Sequence, residues 1–130
     1  MKRFGLVLLV WVMMGLLVAC GENAAANGGN EAAAPAVSGD PVVGEQAFIG
    51  SCSSCHGIDA LGLPGLGRDL TTSTFVAGMD EEQFMEFVKT GRSTSDPANT
   101  TGVDMPAKGG NPALSDEDIV NIRAYIFSLR

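Results

Sequence analysis

Two cysteines and a histidine fall within five positions, Cys52-Ser53-Ser54-Cys55-His56, and this cluster constrains the chain more than any other feature. His56 is the only histidine, and Cys20 is the only further cysteine. Three chemistries use two thiols and one imidazole. A thioredoxin-like redox pair belongs in a βαβ unit, and no stretch here alternates for long enough to read as a strand. A structural zinc site needs four ligands, and outside the cluster the chain offers only Cys20. Covalent haem attachment fits best. Cysteines three apart on one helical turn can add to the two vinyl groups on one porphyrin edge, and the next residue then brings its imidazole beneath the iron. Zinc binding and dithiol redox chemistry stand as the alternatives.

An iron held by one histidine takes a sixth ligand or keeps an open position. Of the six methionines, Met1, Met13 and Met14 lie in the apolar start of the chain, and Met79 and Met85 read as flexible core fillers around a helix. Met105 differs, because it stands in a polar loop and precedes Pro106, which restricts it to extended backbone. A thioether opposite imidazole would keep the iron low-spin and raise its reduction potential. The alternative is an open or water-bound iron with Met105 only packed beside it.

The N-terminus reads as an export signal. Met1-Lys2-Arg3 is a short positive start, and Phe4 to Ala19 is an apolar run, short of the roughly 20 residues that a membrane span needs. Leu17-Val18-Ala19-Cys20 resembles the lipobox of bacterial lipoprotein signals, which implies cleavage after residue 19 and lipidation of Cys20; an uncleaved anchor is the alternative. Residues 20–40 are rich in Ala, Asn and Gly without an apolar period, and read as a flexible tether of roughly 25 Å r.m.s. reach. The folded domain is then expected over residues 41–130.

After Cys20 the chain carries six basic against fifteen acidic residues, a net charge of −9. That balance argues against nucleic acid and against anionic lipid headgroups, and favours partners with basic docking faces. Three helices are predicted from their ends. The first starts at Asp40 with Pro41 in its first turn, and the second at Asp80 with Gln83 before a Phe84, Phe87 and Val88 face ending at Gly91. The third starts at Ser115 with Asp118, and Ile119, Ile122, Ile126 and Leu129 form its stripe. The loops at residues 57–74 and 93–112 are long for so small a domain, which points to function or to something else filling the core.

With these features in order, residues 41–129 resemble a class I cytochrome c domain. Gly44 and Phe48 stand eight and four residues before Cys52, as in that family's first helix, and Ile122 and Tyr125-Ile126 match the packing face of its last. Pro64-Gly65-Leu66 resembles the segment whose proline carbonyl accepts a hydrogen bond from the axial histidine. Val88, Gly91-Arg92 and Met105-Pro106 follow the family order. The resemblance implies an all-α fold, a small bundle of three main helices around one covalently attached haem c. Cys52 and Cys55 would hold the haem, His56 and Met105 would be its axial ligands, and Pro64, Gly44, Phe48 and Tyr125 would support them. Phe48, Leu66, Phe84, Phe87 and Ile126 would wrap the porphyrin.

It further implies single-electron transfer between redox partners of a respiratory or photosynthetic chain. The protein would be a carrier without a substrate of its own, lipid-anchored to a bacterial membrane and facing the periplasm or the outer side of the cytoplasmic membrane. A permanent haem subunit of a larger membrane complex is the alternative, and a haem enzyme or gas sensor a third reading that lacks a second histidine. The stretch from Arg92 to Met105 is longer than in many small bacterial members, and Lys108 is expected near the haem side as a solvated loop lysine.

Overall fold

A computed structural model describes residues 37–130, and the expected signal segment, the Cys20 lipidation site and the tether up to residue 36 lie outside them. Among these residues five α-helices follow in order: α1 (Pro41–Ser51), α2 (Ser53–His56), α3 (Thr74–Ala77), α4 (Glu81–Thr90) and α5 (Asp116–Ser128). A single 3-10 turn spans Ala107–Gly110. Among the described residues there is no strand, only an isolated antiparallel bridge between Arg92 and Met105. The fold is all-α, as expected.

Each long helix starts where its capping chemistry dictates. The Asp40 carboxylate accepts from the Val42 and Val43 amides at 2.8 and 3.4 Å, satisfying donors that the first turn leaves without partners. Asp80 with Gln83, and Ser115 with Asp118, form reciprocal capping boxes at the starts of α4 and α5. Gly91 ends α4 at φ +74°, a conformation that glycine adopts without strain. The four-residue α3, capped by Ser73, was not anticipated, since one turn has no periodicity to read.

α1 and α5 make the most extensive helix pair, and they cross at Gly44. A Cβ on Gly44 would lie 1.9 Å from the Asn121 carbonyl oxygen, so no side chain fits there. Asn121 is itself buried, and its side-chain oxygen accepts from the Asp40 amide at 2.8 Å, fastening the start of α1 to the middle of α5. One turn along, Phe48 packs on Tyr125 with ring centroids 5.3 Å apart. The Tyr125 hydroxyl donates to the Ile58 carbonyl at 3.1 Å, which ties α5 to the loop after the cysteine cluster.

Phe48, Ile119, Ile122 and Ile126 are the largest fully buried side chains, each contributing about 1.5–3 kcal/mol by leaving water. Leu129, expected to continue the α5 stripe, is instead 40 % exposed, because the helix ends at Ser128 and Leu129 is its cap. Lys108 is half-buried and donates to the Leu114 carbonyl at 2.7 Å, so it is a loop brace rather than a free solvated charge.

Two tests follow from this frame. Gly44→Ala should destabilise the domain by about 1–3 kcal/mol in denaturant unfolding, since α1 must move away from α5. Hydrogen bonds from Ser115 hold the Asp118 carboxyl below its ordinary value. Its contribution is therefore complete above the unfolded-chain pKa of about 3.9 and is lost as pH falls through the lower folded value. Asp118→Asn should consequently lose stability at neutral pH and show a flatter acid limb in pH-dependent unfolding.

Candidate functional site

The cysteine cluster sits where α1 hands over to α2. Cys52 leaves helical geometry (φ −118°, ψ −29°) while its carbonyl accepts from the His56 amide at 3.0 Å, so Cys52, Cys55 and His56 share one turn. Cys52 and Cys55 are free thiols. Burial pushes the Cys52 thiol up to about 11, with Cys55 adding to the effect. A thiolate is disfavoured in that wall, whereas a neutral thioether loses nothing by being there. Among the described residues no group of three or more His, Cys, Asp or Glu side chains converges as a metal site.

Both cysteines, His56 and Met105 line one cleft of about 660 Å3, within the roughly 300–1,000 Å3 of cofactor sites. Phe48, Leu66, Phe84, Phe87 and Ile126 line it too, as expected, and Leu66 does so although 44 % exposed. Gly44 and Tyr125 do not line it; they act from behind, through the α1–α5 crossing. The cleft's size, its aromatic and aliphatic walls, and its two thiols, one imidazole and one thioether suit haem in both volume and donor set.

Met105 reaches this cleft on a fixed stem. Its amide and carbonyl pair with the carbonyl and amide of Arg92, both at 2.8 Å, and thereby close the loop of residues 93–104. A Cβ on Gly91 would lie 2.2 Å from the Met105 carbonyl oxygen, so the end of α4 and the methionine segment touch backbone to backbone. Within the loop the Asn99 side chain donates to the Val103 carbonyl at 2.8 Å and accepts from the Gly102 amide at 3.0 Å. The Arg68 guanidinium reaches across to Thr100.

The histidine brace differs from the one expected. Pro64 is exposed in a turn, and the carbonyl 2.8 Å from His56 Nδ1 belongs to Arg68. The chain turns at residues 63–67, where the Leu66 and Gly67 amides donate to the Leu63 carbonyl, and this carries Pro64 outward. Gly67 then passes so close that a Cβ there would lie 2.4 Å from the Cys55 carbonyl oxygen and 3.1 Å from His56 Nδ1. The next residue, Arg68, therefore presents its carbonyl to the ring. Asp69 locks the following turn by accepting from the amides and hydroxyls of Thr71 and Thr72, which hold its carboxyl at about 2.

An all-α domain with two thiols, an imidazole and a thioether on one apolar cleft defines a c-type haem protein. The chain belongs to the cytochrome c family: residues 39–126 match the family described as Cytochrome C oxidase, cbb3-type, subunit III. It is 33 % identical over 88 residues to cytochrome c-555 of Chlorobaculum thiosulfatiphilum, covering 67 % of this chain and 93 % of that one. It is 32 % identical over 88 residues to cytochrome c-555 of Chlorobaculum tepidum, covering 67 % and 74 %. It is also 31 % identical over 96 residues to the cbb3-type cytochrome c oxidase subunit CcoP of Rhodobacter capsulatus, covering 73 % of this chain and 31 % of that one. The chain thus spans about a third of the length of the CcoP subunits it matches. No solved structure matches it. The family's cofactor is covalently bound haem c, and its work is electron transfer.

The revised brace can be checked by a pair of substitutions. Gly67→Ala should displace the Arg68 carbonyl from His56 and shift the reduction potential in redox titration, because the ring loses its orienting acceptor. Pro64→Ala should leave the potential unchanged.

Proposed function

We propose that this chain is a membrane-tethered monohaem electron carrier. Cys52 and Cys55 form the two thioethers to haem, and His56 and Met105 are the axial ligands. Residues 1–19 are a lipoprotein signal, Cys20 carries the lipid, residues 20–40 are the tether and residues 41–130 the redox domain. The observation that supports this reading best is the gathering of the Cys52–His56 turn and Met105, which lie about fifty residues apart in the chain, onto one cleft.

Haem supplies a one-electron ferric–ferrous couple when bound. The protein's part is to hold both axial groups in place, so that little rearrangement accompanies the electron. His56 is fixed by its own helical turn and by the Arg68 carbonyl. Met105 is fixed by the Arg92 bridge. Among the described residues no helix is long and apolar enough to cross a membrane, and the tether in this reading is the lipid on Cys20. The acidic balance after Cys20 favours redox partners with basic faces, met weakly and transiently.

The second reading, a fixed haem subunit of a larger membrane complex, draws on the match to an oxidase subunit family and to CcoP. The small cytochromes c-555, matched over most of their length, favour the carrier. Detergent purification from native membranes separates the two. A carrier should come away alone with covalent haem, and stoichiometric partners in every preparation would establish the subunit instead.

His56→Ala should abolish native ligation, because no second histidine can replace it. Met105→Ala should leave haem attached while lowering the potential, removing the long-wavelength sulfur-to-iron band and letting carbon monoxide bind the reduced protein. Ready carbon monoxide binding by the unaltered protein, without that band, would instead support a haem enzyme or gas sensor.

A further inference from the structure

Haem brings two propionate carboxylates as well as an iron, and an ionised carboxylate moved into an apolar cleft needs a partner. Four charged side chains other than His56 line the cleft: Arg68, Asp69, Arg92 and Asp104. The two carboxylates are already served, Asp69 by Thr71 and Thr72 and Asp104 by the Thr94 amide at 2.5 Å. Arg68 is exposed and bonded to Thr100.

Arg92 is different in every respect that matters to an anion. Its side chain is only 18 % exposed, and its guanidinium lies 4.6 and 4.8 Å from the ring centroids of Phe75 and Phe87. Buried Nε lies 3.1 Å from Asp96 Oδ2, an ion pair whose alignment falls short of a hydrogen bond. No guanidinium nitrogen donates a hydrogen bond to the described residues. A planar cation, paired on its Nε side with Asp96, is thus held at the cleft with further N–H donors, and a guanidinium can bind a carboxylate through two parallel N–H groups.

We propose that Arg92 is the anchor for one haem propionate. Resting on the haem assignment above, this makes Arg92 a positioning residue with two outputs from one backbone unit. Its amide and carbonyl hold Met105, and its guanidinium holds the porphyrin edge, so the sulfur and the ring are placed in a common register. A cation beside that propionate also offsets a negative charge that would otherwise favour the ferric state and lower the potential.

The test starts from holoprotein in which haem staining of the denatured band has established covalent haem. Failure at that step counts against the haem assignment itself, and failure at any later step against Arg92 alone. In the reduced holoprotein, NMR should show nuclear Overhauser contacts between Arg92 side-chain protons and the methylenes of one propionate. Their absence overturns the proposal and needs no variant. Arg92→Gln should lower the potential at neutral pH and add a fall with rising pH between about pH 5 and 8, as a buried carboxylate relieved of its cation titrates upward. Arg92→Lys, which keeps the charge, should stay close to the native profile. If Arg92 were only a structural brace, Arg92→Gln would displace the potential equally at every pH, and that outcome also overturns the proposal.

Discussion

The close approach of α1 to α5 at Gly44 is the contact on which the rest of the domain depends. Because the two backbones touch there, with Asn121 reaching back to the Asp40 amide, the far end of α1 is set in position with little freedom. That end delivers Ser51, Cys52 and then the α2 turn with Cys55 and His56. The same α5 residues that receive α1 also offer Ile122 and Ile126 to the cleft. The terminal helices therefore build one wall of the site from contacts that lie outside it.

The rest of the lining comes from α3, α4 and the loops around them, and loops with few apolar residues do not ordinarily hold a cleft open. Here they are held by backbone. Gly67 against Cys55, Gly91 against Met105 and Gly109 against Ser51 each bring main chains to distances that a Cβ would forbid. Side-chain hydrogen bonds from Asp69 and Asn99 stiffen the turns between them. A chain with only 6 % aromatic residues thus reserves its interior for a large flat cofactor, which completes a core that its own side chains do not fill.

The parts of this architecture visible in the sequence are those whose causes are local. Asp40 with Pro41, Asp80 with Gln83, Ser115 with Asp118, and Gly91 each satisfy or end a helix through residues at most a few positions away, so their pattern shows in one dimension. The cysteine cluster is legible for the same reason. What escaped was set by tertiary contact or supplied by backbone. The histidine brace was expected at Pro64, but any residue provides a carbonyl, so the identity of Arg68 could not mark it; the nearest signal was the glycine before it. Leu129 completed a helical stripe on paper, yet the helix ended one residue earlier. Lys108 looked like a surface charge because its acceptor, the Leu114 carbonyl, carries no side-chain signature.

The two-bond bridge between Arg92 and Met105 separates the methionine from the loop that leads to it. Residues 93–104 leave and return through one fixed gate, so the chain beyond the gate is free to lengthen or change composition at small entropic cost, which grows only with the logarithm of loop length. Length and composition can therefore change in the part of this loop that does not line the cleft while the Arg92–Met105 pairing stays the same. The position of the methionine is thereby set by two backbone hydrogen bonds, whatever the length of the chain between them.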